Sequence, residues 1–250
     1  MEVVILGSGT AAPYVKRGGP GILIRIGGEN LLFDIGPGSL RSLAKAGISI
    51  SEIHRIFFTH FHVDHTLEFA LLLFILRNLD EKLIHPLFVH APRGFQKIFD
   101  GFHLAYGEWI EPEDYELRIE EIGEETIETK GWKVISRGVL HTENSLGYRI
   151  ESRDGKVITY SGDTDTCQGI IDLARDADLL ILECSFPDER KVKGHLIPSE
   201  GGEIAREAKV KRLVLTHFYP ICDQYDILTQ CRKTFPGEVI LAEDLMRIKV

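Results

Sequence analysis

At 250 residues the chain falls between one and two domains of about 150 residues each, and it is long enough to bury one large core without a disulfide or structural metal. A composition of 44% hydrophobic and 27% charged residues excludes a disordered chain. The 29 basic and 38 acidic side chains leave a net charge of −9, which weighs against an extended nucleic-acid interface but not against a locally positive phosphate site.

The opening MEVVILGSGT carries neither a basic n-region nor a small-residue cleavage site, so no signal peptide is expected. Strands are predicted over 3–6, 21–26 and 31–34, a short helix over 39–47 and a buried strand over 55–59. Residues 67–79 are apolar nearly all round, which predicts a helix buried on most of its surface. The longest apolar run within it, residues 69–76, is far short of the roughly 20 residues of a membrane span. A soluble, cytoplasmic protein without a membrane partner is therefore expected.

Beyond it come a strand over 86–90 and a helix over 94–106. The pattern then turns to β over 115–119, 127–129, 132–137, 147–150 and 157–160, with the acidic run EEIGEETIE (120–128) expected as a solvated face or loop. Helices over 168–174, 199–208 and 225–234 alternate with strands over 179–183 and 212–216, and strands over 239–241 and 245–249 close the chain. With no repeat, linker or low-complexity tract, one domain covering 1–250 is expected, its two mixed sheets packed face to face with helices outside. Cys167, Cys184, Cys222 and Cys231 form no CxxC pair and suit free thiols in a reducing compartment.

Gly7-Ser8-Gly9-Thr10-Ala11-Ala12 fits the GxGxxG/A dinucleotide fingerprint after a strand, with Asp34 near the place of a ribose-binding acid. That fingerprint works only where a helix opens onto the pyrophosphate. Pro13, Gly18, Gly19, Pro20 and Gly21 forbid such a helix, so the segment is expected to be a tight turn at the mouth of a site.

His60-Phe61-His62-Val63-Asp64-His65 places three imidazoles and a carboxylate within six residues, directly after an apolar strand. His60 and His62 can point the same way from an extended segment, while Asp64 and His65 fall on the following turn. Imidazole and carboxylate donors suit zinc or another first-row ion rather than calcium. Further ligand candidates stand where apolar β runs end: His141, Asp163 and His217. Asp163 is the carboxylate of this set outside the first motif, and a carboxylate is the natural bridge between two cations. His54, His85, His90 and His103 have no partner at ligand spacing and are expected to be structural. Tyr219 is a candidate pocket residue more simply explained by packing, and Lys16 and Arg17 are candidate phosphate contacts or solvated loop residues.

The HxHxDH motif followed by His141, Asp163 and His217 resembles the metallo-β-lactamase superfamily along nearly the whole chain. The resemblance implies the four-layer αβ/βα sandwich, with Asp34 of LLFDIGPG bracing the metal loop. It implies two divalent ions, zinc foremost with manganese or iron as alternatives. His60, His62 and His141 would hold one; Asp64, His65 and His217 the other; Asp163 would bridge. True β-lactamases of this fold use cysteine where Asp163 stands, which argues against antibiotic hydrolysis.

Glu183, Gly194-His195-Leu196, GYRI (147–150) and SGDT (161–164) are together similar to ribonuclease Z and its phosphodiesterase relatives. There the glutamate orients the histidine, which serves the leaving-group oxygen, as an alkoxide requires. By this resemblance Asp64, Glu183 and His195 are the catalytic residues. Only residues 142–162 separate His141 from Asp163, so the tRNA-clamping arm of bacterial members is absent, and a small or cyclic phosphodiester is favoured over RNA. The alternatives are tRNA 3′-end cleavage, hydrolysis of a carboxyl ester or thioester, and a metal-binding module without turnover. Members of the family often form homodimers, though no interface is located by the sequence.

Overall fold

The computed structural model of the chain describes residues 1–78 and 83–250. Its first half runs β1 (Glu2–Gly7), β2 (Gly21–Ile26), β3 (Glu29–Phe33), α1 (Ser39–Lys45), β4 (Ile53–Phe57), α2 (Val63–Thr66), α3 (Glu68–Asn78), β5 (Leu87–Pro92), α4 (Phe95–Tyr106) and β6 (Leu117–Ile122). The second runs β7 (Thr126–Glu128), β8 (Trp132–Gly138), β9 (Leu146–Ser152), β10 (Val157–Tyr160), α5 (Gln168–Ala174), β11 (Leu179–Glu183), α6 (Pro198–Glu207), β12 (Arg212–Thr216), α7 (Ile227–Arg232), β13 (Glu238–Leu241) and β14 (Arg247–Lys249).

Among the described residues the strands form two seven-stranded sheets, ordered β14-β1-β2-β3-β4-β5-β6 and β13-β12-β11-β10-β9-β8-β7. Each joins an antiparallel ribbon to a parallel stretch: β1 to β3 and then β3 to β6 in one, β7 to β10 and then β10 to β13 in the other. Gly27 and Gly28, at φ 58° and 84°, turn β2 into β3; a two-residue hairpin with both φ positive matches the twist of its strands and favours glycine.

Burial on both faces explains the unbroken apolar runs of the strands. In β1, Val3 and Ile5 point between the sheets while Val4 and Leu6 point to the outer helices. In β12, Val214 faces the inner layer and Leu213 and Leu215 the outer one. The inner core holds Phe33, Phe57, Tyr148 and Tyr160; one outer core packs against α1, α3 and α4, the other against α5, α6 and α7. These are the four layers expected from the sequence.

Several expectations need correction. α3 is not buried on most sides: Leu71 and Phe74 remain 47% and 42% exposed, because a helix on an outer layer meets the sheet along one stripe only. The end expected at Leu79 lies outside the described residues. The acidic run is the solvated face expected, carried on strands: Glu120–Ile122 ends β6 and Thr126–Glu128 forms β7, with the glutamates exposed. These are the free edges of the two sheets, where charge discourages edge-to-edge pairing. The helix expected over 225–234 shortens to α7 because Asp226 caps it, its carboxylate accepting from Thr229 N at 3.0 Å. β3 stops at Phe33 because Asp34 turns to φ 57°.

The remaining histidines are structural, as expected. His54 stacks on His85 at 4.1 Å between centroids, and His103 Nε2 pairs with Glu111 at 2.6 Å. His90 is 1% exposed, lies on the Phe57 ring at 4.7 Å and has its Nδ1 3.1 Å from a Glu120 oxygen. Burial, with Arg55 beside Nε2 at 3.3 Å, pushes its pKa down from 6.5 to about 4. The native protein therefore binds fewer protons than the unfolded chain, and this contribution to stability is lost as pH falls from 6.5 through about 4. At 1.36 kcal/mol per pKa unit the loss is on the order of 3 kcal/mol. Denaturant titrations between pH 7 and 4.5 are expected to show the wild type converging on His90→Gln; a pH-independent difference would clear His90.

Candidate metal centre

The seam between the sheets closes at one end in a cluster of polar side chains. β4 leads into His60 and His62, and His62 is the N-cap of α2, whose single turn carries Asp64 and His65. Asp163 follows β10, Glu183 ends β11, and His217 follows β12. These are carboxyl ends of strands that run parallel to a neighbour, the usual location of sites in α/β sheets. His141 enters from the loop after β8.

The potential ligand atoms of His60, His62, His141 and Asp163 lie within 4.8 Å of one another, as do those of Asp64, His65 and His217, and those of Asp163, His195 and His217. Asp163 presents a different oxygen to each of the first two sets. Its Oδ2 lies 3.8 Å from His60 Nε2 and 3.7 Å from His141 Nε2. Its Oδ1 lies 3.3 Å from both His65 Nε2 and His217 Nε2.

The arrangement suits cations better than it suits its own protons. His60 Nε2 and Asp163 Oδ1 are buried without a hydrogen-bond partner, a costly state unless another group meets them. The His65 and His217 Nε2 atoms face each other at 3.4 Å, and His141 Nε2 faces His62 Nδ1 at 3.1 Å. Burial holds His60 well below the usual histidine range. Burial would do the same to His65, but Asp163 and Asp34 outweigh it and raise its pKa well above that range. Two fixed carboxylates, Asp34 at Nδ1 and Asp163 at Nε2, thus face this buried ring from either side.

Asp34 organises the first half of this cluster. It is fully buried and accepts from Thr59 N (2.8 Å), Thr59 Oγ1 (2.9 Å), Tyr160 OH (2.9 Å) and His65 Nδ1 (2.8 Å). His65 thereby turns Nε2 toward Asp163. Thr59 Oγ1, its proton given to Asp34, accepts from His60 Nδ1 at 3.0 Å and so leaves His60 Nε2 a lone pair. Asp34 and His217 sit at φ 57° and 61°, a strained conformation costing about 1–3 kcal/mol each and held by the surrounding packing.

Glu183, 1% exposed, organises the other half. Its Oε1 takes His195 Nδ1 and Thr164 N, both at 2.9 Å. The His195 ring lies between those of His141 and His217, at 4.9 and 6.0 Å. Gly194 O accepts from His141 Nδ1 at 2.8 Å, tying the loop of His195 to another cluster member.

Thr59, Tyr160 and Ser185 were missed at the sequence level. Ser185 Oγ lies 2.7 Å from Glu183 Oε2, 3.1 Å from His195 Nδ1 and 2.9 Å from His217 Nδ1. The "S" of ECSF (183–186) beside the singled-out Glu183 was the available signal. Lys16 and Arg17 both pair with Asp223, at 2.7 and 2.8 Å, the Lys16 side chain solvated and that of Arg17 largely covered. Tyr219 packs, stacked on Phe186 at 4.7 Å. The glycine-rich opening forms no helix: Gly7 packs so close to Gly19 that an added Cβ would lie 1.9 Å from Gly19 O. No disulfide joins the cysteines.

A sequence profile for the "Beta-lactamase superfamily domain" matches residues 29–218. The chain is 30% identical to a protein named ribonuclease Z from Streptomyces coelicolor, over 298 aligned positions that cover 100% of this chain and 97% of the relative. It is 31% identical to a ribonuclease Z of Thermobifida fusca over 303 positions, covering 100% and 94%. Among solved structures, the short form of human tRNase Z superposes with a TM-score of 0.81 at 27% identity, covering 100% of this chain and 99% of that one. The metallo-beta-lactamase fold protein YhfI of Bacillus subtilis superposes with a TM-score of 0.85 at 21% identity over 99% and 98%, a likeness of fold.

Two substitutions are expected to separate the braces from the cluster they hold. Tyr160→Phe removes one donor from a charged acceptor and is expected to cost about 1.5–3 kcal/mol in denaturant unfolding with metal content after dialysis unchanged. Asp34→Ala strips both histidines of their brace and is expected to lower stability by about 3–5 kcal/mol and metal content as well. Full metal content in the purified, folded Asp34→Ala protein would reduce Asp34 to a packing role.

Proposed function

We propose, because this chain belongs to the beta-lactamase superfamily, that it is a metal-dependent hydrolase working as a phosphodiesterase on a small or cyclic phosphodiester. Under this proposal His60, His62 and His141 hold one divalent ion, Asp64, His65 and His217 hold a second, and Asp163 joins them. The division of the two Asp163 oxygens between these sets supports two ions rather than one. Imidazole and carboxylate donors suit zinc, with manganese or iron as the other first-row candidates. Under this proposal His195 stands outside the two ligand sets, its Nδ1 held by Glu183 at 2.9 Å.

Bound divalent ions supply Lewis acidity, which polarises a phosphoryl oxygen and acidifies water at neutral pH. Asp64, whose Oδ2 lies 3.7 Å from His217 Nε2, would accept the proton of the attacking water. Glu183 takes the Nδ1 proton of His195 and leaves Nε2 as the nitrogen that serves the departing oxygen. Protonated His195 delivers its Nε2 proton to the alkoxide as the phosphorus–oxygen bond breaks. This carboxylate-backed imidazole is the observation that carries the phosphodiesterase reading, because a poor alkoxide leaving group needs a positioned acid.

Three observations favour a small diester. β9 and β10 are joined by a tight hairpin with no arm for a large substrate. The S. coelicolor alignment spans 298 positions, 48 more than the 250 residues here, so the relative carries segments that this chain lacks. Lys16 and Arg17, the basic pair of the glycine-rich loop, are both engaged by the single carboxylate of Asp223. The names of the full-length relatives favour a second reading, cleavage of a tRNA precursor at its 3′ end.

Metal-analysed protein is expected to hydrolyse bis-p-nitrophenyl phosphate, to lose that activity with chelator and to regain it with zinc or manganese. Cyclic nucleotides and a tRNA precursor, run side by side, then decide between the two readings. Turnover of a p-nitrophenyl ester or a thioester with an inert diester would overturn both. His195→Ala is expected to lower kcat by about 10²–10⁴-fold with metal content unchanged, whereas Asp64→Ala and His65→Ala lower both. Equal metal loss in all three would remove the separate role of His195.

A further inference from the structure

The geometry points to Ser185 as a positioning residue that sets the tautomer of His217 and makes Glu183 the common brace of His217 and His195. This inference rests on the proposal above that His217 ligates through Nε2. The protons follow from the donor inventory. A carboxylate can only accept, so the Ser185 hydroxyl, 2.7 Å from Glu183 Oε2, spends its single proton there. Its oxygen must then accept from the ring nitrogens that approach it. His217 Nδ1, at 2.9 Å, is therefore the protonated nitrogen of His217, and Nε2 keeps the lone pair that faces Asp163 at 3.3 Å. His195 Nδ1 is nearer to Glu183 Oε1, at 2.9 Å, than to Ser185 Oγ, at 3.1 Å.

The same device occurs on the opposite side of the cluster. There Asp34 takes one histidine directly, His65, and reaches another, His60, through the hydroxyl of Thr59. Here Glu183 takes His195 directly and reaches His217 through Ser185. In each half a carboxylate at the end of a strand holds two imidazoles, one by a direct bond and one through a hydroxyl. Ser185 is fully buried and its backbone N–H also donates to Glu183 Oε2, at 3.1 Å, so water is kept from taking its place. The consequence is that Glu183 acts on metal retention through Ser185 as well as on proton delivery through His195.

Two measurements test this. Long-range ¹⁵N–¹H NMR of the metal-free protein, with the His217 signals assigned by substitution, is expected to show His217 with its proton on Nδ1; a proton on Nε2 would overturn the inference. Titration of Ser185→Ala with zinc against a chelating dye is expected to show one of the two equivalents weakened about 10–100-fold, as for other lost hydrogen bonds to metal-bound histidine, and the other unchanged. Two zinc equivalents held as tightly as in the wild type, even with a lower melting temperature, would mean that Ser185 only packs. If the wild type binds no zinc, the metal-dependent reading fails, while the NMR tautomer still decides the role of Ser185. It decides equally if Ser185→Ala does not fold.

Discussion

A carboxylate sealed from water survives only when every lone pair finds a donor, and Asp34 meets that demand with groups from both sheets. Thr59 and His65 come from the loop and turn after β4, Tyr160 from the end of β10. The bond from Tyr160 is thus one polar stitch through the interface of Phe33, Phe57 and Tyr148, and the Tyr148 hydroxyl, donating to Phe58 O, is another. Three of its four donors hold Asp34 to its own half, and the fourth, from Tyr160, ties that half to the opposite sheet in a set direction. Opposed sheets holding half a site each need that control, since an ion held between them tolerates little sliding.

Each half has an antiparallel ribbon, a parallel stretch and a bracing carboxylate at a strand end. The parallel stretches bring Asp34, Asp163, Glu183 and His217 to the same end of the sandwich, and the helices pack on the outer faces. Asp163 lies where the halves meet, one oxygen toward each histidine group. Its carboxyl is held well below the usual carboxylate range: burial opposes ionisation, but His217 and His65 overcome it. The charge on Asp163 is therefore set by the imidazoles around it, as a carboxylate shared between cations requires.

Much of this was legible in the sequence because its signals are local. Unbroken apolar runs announce strands buried on both faces, and the histidines at 60, 62 and 65 stand within one short turn. His141, Asp163 and His217 each follow such a run. What was hidden depends on the partner. Thr59 and Ser185 matter through carboxylates 25 and 2 residues away and imidazoles 1 and 32 residues away, and a hydroxyl has no spacing rule of its own. The pairing of Lys16 and Arg17 with Asp223 spans 207 and 206 residues. The exposed stripe of α3 was invisible for the opposite reason: a helix apolar all round carries no mark of which face meets the sheet.

The loop that carries His195 is held by charge as well as by Leu196, which is buried in the outer core of the second half. Lys191 reaches Asp165, the His195 carbonyl and Glu200, while Asp165 takes Gly194 N at 2.9 Å. Gly194, at φ 89°, lets the chain turn so that its carbonyl meets His141. On the outer side, Phe186 sets its ring against His195 at 5.9 Å and stacks on Tyr219. The imidazole is thus fixed from behind by Glu183, from below by its own backbone and along one side by an aromatic pair. In the proton-donor role proposed for it, an imidazole fixed in this way would need no loop closure and little reorganisation.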